Sequence, residues 1–127
     1  MADARVGVLG TVGPGGAPHL VPVVHALECD RVWIAIDQKP KRTQDLQRLR
    51  NLRRDPRAGL LVQHYEEDWS RLWWVRADGH AEVLEHDEDR AEPLALLAAK
   101  YPAHRQDPPR GPVIAITVER WTGWTAA

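Results

Sequence analysis

Three short, mainly apolar runs occupy the first 37 positions, and they limit the fold more than any other feature. The runs cover residues 4–12, 19–27 and 31–37, each shorter than a typical helix. The sequence GPGGAP separates the first two, and it is typical of a turn because glycine permits positive φ and proline presets φ. The pattern predicts an antiparallel meander of three strands. Pro22 predicts an edge position for the second strand, because proline cannot donate a ladder hydrogen bond.

Two helical patterns follow. Leucines at every third position predict a first helix, which ends near Arg54 because the residue before Pro56 avoids helical dihedral angles. An acidic first turn predicts a second helix over residues 87–101, and Pro93 moves its expected start to about Glu92.

Apolar runs predict three further strands, over residues 57–65, 72–85 and 113–121. The middle one is expected to kink at its Asp-Gly pair, and residues 102–112 are expected to form a loop. The predicted order is β-β-β-α-β-β-α-β in a single domain of residues 1–127. This order indicates a mainly β fold, a six-stranded barrel with two helices that close its gaps.

The composition excludes several classes of function. The 127-residue chain has a net charge of −1, which does not favour nucleic acid as a partner. Its one cysteine cannot form an internal disulfide, which favours a reducing, cytoplasmic location. No apolar run approaches 18 residues, so we expect no membrane span. The six histidines show no metal-binding spacing, so we expect no metal site.

Positive charge is concentrated between Lys39 and Arg57, where eight basic residues accompany two acidic ones. The arginines of the predicted helix that lie off the leucine stripe are expected to be solvated or in salt bridges; these are Arg48, Arg53 and Arg54. Lys39, Lys41, Arg42 and Thr43 stand where a strand ends and the helix begins. Free N–H groups and the helix dipole favour an anion there, so these four predict a phosphate cradle.

The order of these features resembles a known family. The stretches TVGPGGAPHLVPVVHAL and DRVWIAIDQKPKRTQDLQRLRNLRRDPRAGLLV are similar to those of the flavin and deazaflavin split-barrel proteins related to pyridoxamine 5′-phosphate oxidase. The shared pattern is a glycine-rich turn, P-H-x-V-P-V, a lysine-rich loop and a helix that ends in N-x-x-x-D-P-R. The stretch YEEDWSRLWWVRADGHAEVL resembles an actinobacterial branch of probable coenzyme F420-dependent enzymes. That family usually carries a helix before the first strand, where this chain has only residues 1–3.

The resemblance implies an FMN-binding-like split barrel that forms a homodimer with cofactor sites at the interface. It implies that the cofactor phosphate binds the four cradle residues, with Arg50 and Asn51 as further contributors, and that the ring lies along Leu20, Val21, Pro22 and Val23. The implied activity is F420-dependent hydride transfer to a small-molecule acceptor. The alternatives are an FMN-dependent enzyme, or a flavin-, F420- or haem-binding protein without turnover. No catalytic residue is assigned.

Tryptophan supplies most of the aromatic side chains, because the chain has six Trp, two Tyr and no Phe. Trp73 and Trp74 are adjacent in a predicted strand, so they point to opposite faces. One of them is expected in the core or at an interface, and the other is a candidate wall of a pocket.

Overall fold

The structure is a computed structural model that describes residues 3–36 and 47–127. In this range the chain forms seven antiparallel strands and three helices. The strands are β1 (Gly7–Val12), β2 (Pro18–Val23), β3 (Ala26–Glu28), β4 (Arg31–Ala35), β5 (Arg57–His64), β6 (Trp73–Leu84) and β7 (Val113–Thr125). The helices are α1 (Gln47–Arg54), α2 (Asp87–Lys100) and α3 (Pro102–Gln106).

All seven strands belong to one curled sheet. Its order is β2-β1-β5-β6-β7-β4-β3, so β2 and β3 are the two edges. Val23 of β2 and Val32 of β4 nevertheless belong to the same core cluster, which requires the sheet to curl on itself. The predicted mainly β, barrel-like architecture is therefore confirmed, and so is the edge position of the strand that contains Pro22.

The predicted number and order of strands were wrong. The run over residues 19–27 forms two strands, β2 and β3, which lie at opposite edges of the sheet. Between them the chain leaves the ladder at Val24 and His25, and the backbone N–H of buried His25 donates to the hydroxyl of Tyr101 at 3.2 Å. This long-range contact satisfies a backbone group without a ladder partner. The observed order is β-β-β-β-α-β-β-α-α-β.

The second helix also departs from its prediction. It begins at Asp87 with Pro93 inside it, and residues 102–106 form α3 where a loop was expected. The acidic first turn suits the helix dipole. The buried guanidinium of Arg90 donates to the carbonyl oxygens of Pro109 and Gly111, each at 3.0 Å. These hydrogen bonds attach the start of α2 to the loop that precedes β7. They stabilise the helical conformation of the residues before Pro93.

The long β6–β7 ladder contains a β-bulge. Asp78 pairs with Arg120 whereas Gly79 pairs with Val118, so Glu119 is an extra residue of β7. The irregularity falls at the Asp-Gly pair, where a kink was expected. Beyond the bulge the ladder continues to Thr125, four residues past the predicted end of the strand.

Two apolar clusters hold the sheet and helices together. One lies inside the curl, where Ile114 and Ile116 of β7 belong to the same buried cluster as Leu49 and Leu52 of α1. The other lies on the opposite face of β7, where residues of the β3–β4 pair and β7 pack against α2 and its C-terminal Tyr101. Strand β7 is therefore buried on both faces in its first half, which agrees with its continuous apolar sequence.

Among residues 3–36 and 47–127, no helix has the length and apolar character of a membrane span. The same residues hold no group of three or more His, Cys, Asp or Glu side chains arranged around a possible metal ion. The single cysteine, Cys29, is an exposed thiol in the turn between β3 and β4, with a φ of 53°.

Gly79 is predicted to be essential at the bulge. A Cβ atom there would overlap the backbone carbonyl of Thr117, which is held by the ladder. We expect Gly79→Ala to lower the free energy of unfolding by about 1–3 kcal/mol, the range for overpacking, in urea denaturation. Gly123→Ala is the matched control in the same ladder, because its Cβ would meet neighbours no closer than 3.4 Å. An equal loss in both variants would contradict this role for Gly79.

Candidate functional site

The four residues of the predicted phosphate cradle, Lys39, Lys41, Arg42 and Thr43, lie outside the described residues. The chain on both sides of them is well anchored. Before them, Ile36 is fully buried and exchanges backbone hydrogen bonds with the residues that precede β7, namely Gly111 and Pro112. After them, α1 packs on the inner cluster through Leu49 and Leu52. The predicted cradle therefore joins two parts of the core.

Helix α1 carries four arginines in eight residues and no acidic residue. Arg53 forms the expected salt bridge, to Glu85 at 2.9 Å. Arg54 donates to the carbonyl oxygen of Val12 at 2.8 Å, so it ties the helix to β1 and is not merely solvated. Arg50, a predicted cofactor contact, is exposed and donates to Gln47 at 2.6 Å. The helix thus presents a strongly basic surface next to the segment of the predicted cradle.

Asn51, also a predicted cofactor contact, is the centre of a buried polar group. Its side chain is fully buried and donates to the Thr11 hydroxyl at 3.0 Å. Its amide oxygen accepts from Gln47 at 2.6 Å and from Arg54 at 3.4 Å. The amide has both its donor and its acceptor engaged with protein groups. Any effect of Asn51 on a ligand would therefore pass through the residues that it positions.

Two buried polar atoms near this group have no partner in the described part of the chain. They are Nδ1 of His19, whose residue pairs with Thr11 across the β1–β2 ladder, and Nε of Arg48. Arg48 precedes Asn51 by three residues, which places both on one face of α1. Burial lowers the pKa of the Arg48 guanidinium. We call Thr11, His19, Gln47, Arg48 and Asn51 the barrel-end cluster. Unsatisfied buried polar atoms are uncommon and are candidates for ligand contacts.

The predicted ring-binding residues of β2 divide between its two faces. Val21 and Val23 point inward and pack on the inner cluster, whereas Leu20 and Pro22 point outward and are exposed. Pro22 and Pro18 lack an N–H, so they suit ladder positions whose backbone points away from β1. Leu20 shares their parity, and its backbone N–H is therefore directed to the open edge of the sheet.

Leu20 also borders a groove of about 490 Å³ on the outer face of the sheet. Gly10 and Gly59 pair across β1 and β5 and form its floor, and Arg57 and Asp78 are among its walls. A Cβ at position 10 would lie 3.4 Å from the Leu20 side chain, in space that the glycine leaves open. We call this the glycine groove, and its floor carries no side chains.

Arg57 is held at the groove by the turn between α1 and β5. The Asp55 carboxylate accepts from the backbone N–H of Arg57 at 3.1 Å and from its guanidinium at 2.6 Å. These hydrogen bonds lower the pKa of Asp55 to about 2. The D-P-R part of the family-like sequence pattern therefore builds a turn and orients an arginine.

These features fit a phosphorylated planar cofactor. The barrel-end cluster offers unsatisfied nitrogen atoms beside a basic helix, which suits an anionic group. The open edge of β2 and the glycine groove offer a backbone donor and a flat surface, which suit a ring system.

Comparison with known families agrees with this geometry. A profile described as pyridoxamine 5′-phosphate oxidase matches residues 1–125. The chain belongs to this family. Solved structures place it in the same fold group. One is the conserved hypothetical protein Rv2991 of Mycobacterium tuberculosis, 26% identical with a TM-score of 0.79, covering 98% of this chain and 79% of that one.

Two further structures with this fold are of ligand-binding proteins. A FAD-binding protein of Mesorhizobium loti is 20% identical with a TM-score of 0.68, covering 96% of this chain and 86% of that one. A haem-binding protein of Mycobacterium smegmatis is 24% identical with a TM-score of 0.72, covering 98% of this chain and 54% of that one. At these identities the likeness concerns the fold. No curated protein matches the sequence significantly.

Of the barrel-end cluster, sequence analysis named only Asn51 as a candidate site residue. Thr11 was treated as part of an apolar strand, although Leu9 and Thr11 share the inward parity of β1. A polar residue at an inward position is a detectable signal for a buried hydrogen bond. Arg48 was assigned to the solvated surface, and its partial burial depends on how α1 packs.

We predict a measurable coupling between Asn51 and Thr11. Asn51→Ala should lower the free energy of unfolding by about 1–3 kcal/mol, because it leaves buried groups unsatisfied. Thr11→Val should lower it less, and the double variant should lose less than the two single changes together. Urea denaturation of the four proteins gives the coupling energy, which we expect to be about 1 kcal/mol. Strict additivity would show that the two side chains act independently.

The Asp55–Arg57 contact gives a pH prediction. The Asp55 carboxyl should titrate near pH 2 when followed by NMR, since its folded pKa is about 2. The pair's contribution to stability is complete above the unfolded pKa of about 3.9 and is lost as the pH falls through the folded value. Arg57→Ala should return the Asp55 pKa toward about 3.9, whereas Arg53→Ala should leave it unchanged.

Proposed function

We propose that the protein binds a phosphorylated flavin-type cofactor, coenzyme F420 in preference to FMN, and transfers hydride between it and a small-molecule acceptor. The observation that carries the proposal is the barrel-end cluster, where Arg48 and His19 keep unsatisfied nitrogen atoms. Arg48 follows the predicted cradle closely in the sequence. Membership of the pyridoxamine 5′-phosphate oxidase family supports a cofactor of this class. The preference for F420 rests on the sequence resemblance to an F420-dependent branch.

Each group of residues has a proposed role toward the cofactor. Lys39, Lys41, Arg42 and Thr43 bind the phosphate, with Arg48 and Arg50 extending the basic surface. The outward side chain of Leu20 and the open backbone edge of β2 bind the ring. Val21 and Val23 support this edge from the core, and Asn51 positions α1 through Thr11 and Gln47.

A bound deazaflavin would supply the two-electron hydride chemistry itself. The chain's contribution is to bind the anionic end, hold the ring against β2 and keep the acceptor beside it. No described side chain is assigned as a general acid in this proposal, and the proton can come from water.

The proposal includes a homodimer with the cofactor sites at its interface. Exposed apolar side chains support it, because Leu20 on the outer face is 70% exposed and Val6, just before β1, is 56% exposed. Val8 and Leu61 form a cross-strand pair on the same face. Covering exposed apolar area of this kind favours association. A cytoplasmic location and the lack of nucleic-acid or membrane partners complete the proposal.

Lys41→Ala should weaken F420 binding by about 1–3 kcal/mol, the range for hydrogen bonds to charged groups. Titration of the purified protein with F420, followed by tryptophan fluorescence, measures this change. Arg71→Ala is the control, because Arg71 is exposed, forms a salt bridge to Glu66 and is not one of the predicted cradle residues. Equal weakening by both changes at fixed salt would indicate general attraction to positive charge and contradict a defined cradle.

A parallel titration with FMN separates the cofactors. Tight F420 binding with weak FMN binding supports the proposal, and the reverse order assigns the protein to the FMN-dependent alternative. Failure of both to bind below about 100 μM overturns the cofactor site. Oxidation of bound reduced F420 that no acceptor accelerates would favour a binding protein without turnover.

A further inference from the structure

Four residues in neighbouring strands form one row across the outer face of the sheet. Leu20 of β2 pairs with Gly10 of β1, Gly10 pairs with Gly59 of β5, and Gly59 pairs with Asp78 of β6. All four lie on the outer face, because the adjacent positions of each strand enter the inner cluster. Neighbouring strands are ~4.8 Å apart, so roughly 14 Å separates Leu20 from Asp78, with no side chain between them in this row.

The backbone requires glycine at neither of the two middle positions. Gly10 and Gly59 both lack a positive φ. A Cβ at position 10 would meet the Leu20 side chain at 3.4 Å, and a Cβ at position 59 would meet Oδ1 of Asp78 at 3.3 Å, the end of a side chain that can rotate. Glycine weakens a strand, and inside one it often marks a place where a ligand or another backbone approaches closely. The paired glycines therefore indicate an occupant on the floor of the glycine groove.

The groove is apolar on one side and polar on the other. Strands β1 and β2 contribute Val12, Pro18 and Leu20, whereas the β6–β7 ladder contributes Asp78 and Glu119. The volume of about 490 Å³ lies within the range of small-molecule sites. A ligand that fits this groove has one apolar edge and one polar edge.

The polar side offers a hydrogen-bond acceptor to a ligand. Oδ2 of Asp78 accepts from Nε of Arg76 at 2.8 Å, whereas Oδ1 leans over the glycine floor. Arg57, the cation in the groove wall, donates to Asp55 through Nε and a terminal nitrogen. Arg120 pairs with Asp78 across the ladder but does not line the groove. The Asp78 carboxylate is thus the group placed to meet a ligand, and it selects an N–H donor, since hydrogen bonds to a charged group are stronger.

We propose that the glycine groove binds a flat ring that carries an N–H group, with the ring over Gly10 and Gly59 and the N–H donated to Asp78. The groove begins at Leu20, so its ligand lies beside the proposed position of the cofactor ring. This ligand class is our assignment for the small-molecule acceptor. That role rests on the proposed function, whereas binding in the groove does not.

The probe is 2-quinolone, a flat neutral bicycle with a ring N–H, and 1-methyl-2-quinolone is the same ring without the donor. Protein labelled with ¹⁵N is titrated with each probe in the absence of F420 and FMN, and the backbone amide signals are followed by NMR. The first probe should shift the signals of Gly10 and Gly59 saturably and leave that of Gly123 unmoved. The methylated probe should bind about tenfold more weakly, because it lacks one hydrogen bond to a charged group.

Asp78→Asn tests the hydrogen bond separately from the bulk of the methyl group. It keeps the shape of the side chain and removes its charge. It should weaken 2-quinolone binding about five- to tenfold and leave the affinity for 1-methyl-2-quinolone unchanged. Glu82→Gln is the matched control, because Glu82 lies on the same strand, forms a salt bridge to Arg31 at 3.7 Å and does not line the groove.

Two further variants test the floor of the groove. Gly10→Val places a β-branched side chain there and should abolish the shift of the Gly59 signal by both probes. Gly59→Ala displaces Oδ1 of Asp78 and should weaken 2-quinolone binding, which provides a test if Gly10→Val fails to fold. Gly123→Ala is the control for a strand glycine outside the groove and should leave both affinities unchanged.

Several results would overturn the proposal. They are equal affinity for the two probes, equal effects of Asp78→Asn and Glu82→Gln, and binding that Gly10→Val and Gly59→Ala leave unchanged. A dimer in sedimentation velocity that shields the Gly10 and Gly59 amides from the probe would also overturn it, since another backbone would then cover the glycines.

A competition titration tests the role as acceptor site. Simultaneous binding of F420 and 2-quinolone supports this role, whereas competition between them overturns it and assigns the groove to the cofactor ring. Failure of F420 to bind in its own titration overturns the proposed function and leaves the binding of 2-quinolone intact, so the two failures are distinguishable.

Discussion

The long antiparallel ladder between β6 and β7 is the interaction on which the remaining structure depends. It joins residues 73–84 to residues 113–125, and it connects the β2-β1-β5 half of the sheet to the β4-β3 half. In its first half, β7 is covered by the inner cluster on one face and by α2 on the other. In its second half, the same strand extends past β4 and carries an exposed aromatic surface. One continuous strand thus belongs both to the core and to the exposed surface.

The bulge at Glu119 decides which side chains face which side. Before it, the even-numbered residues Ile114, Ile116 and Val118 face the inner cluster. The extra residue reverses which positions of β7 face inward, so that odd-numbered residues do so after the bulge. Trp121 therefore lies on the same face as its partner, buried Ala77, whereas Trp124 and its partner Trp74 lie on the opposite face. The close approach of Gly79 to Thr117 accommodates this shift. The aromatic surface therefore depends on a single inserted residue.

At the opposite end of the barrel, polar groups are buried because α1 must close the curl of the sheet. The leucines of α1 enter the core, and the same helix face brings Asn51 to Thr11 and buries part of Arg48. Asn51 is fully satisfied and stabilises the closure, whereas Arg48 and His19 keep unsatisfied atoms. Packing of the helix thus buries both kinds of polar residue at this end of the barrel.

Much of the fold could be predicted from local pattern. The apolar runs and the GPGGAP turn correctly predicted most strands. The leucine stripe together with Pro56 predicted that α1 ends at Arg54, and Pro22 predicted an edge strand. Each of these features depends on residues that are neighbours in the sequence. The extra strand and the early start of α2 could not be predicted. They depend on His25 meeting Tyr101 and on Arg90 meeting Pro109 and Gly111, which are contacts between residues far apart in the chain.

The sequence by itself determined a mainly β chain with a concentrated basic segment and a family-like order of motifs. It also placed Leu20 and Pro22 on an edge strand, since proline and alternation act locally. Only the tertiary structure decided that Leu20 borders a glycine-floored groove, that Arg48 is partly buried and that Trp74 pairs with Trp124 across the β6–β7 ladder. The physical reason is that burial and cavities arise from the registers of strands and the docking of helices, which local patterns do not specify.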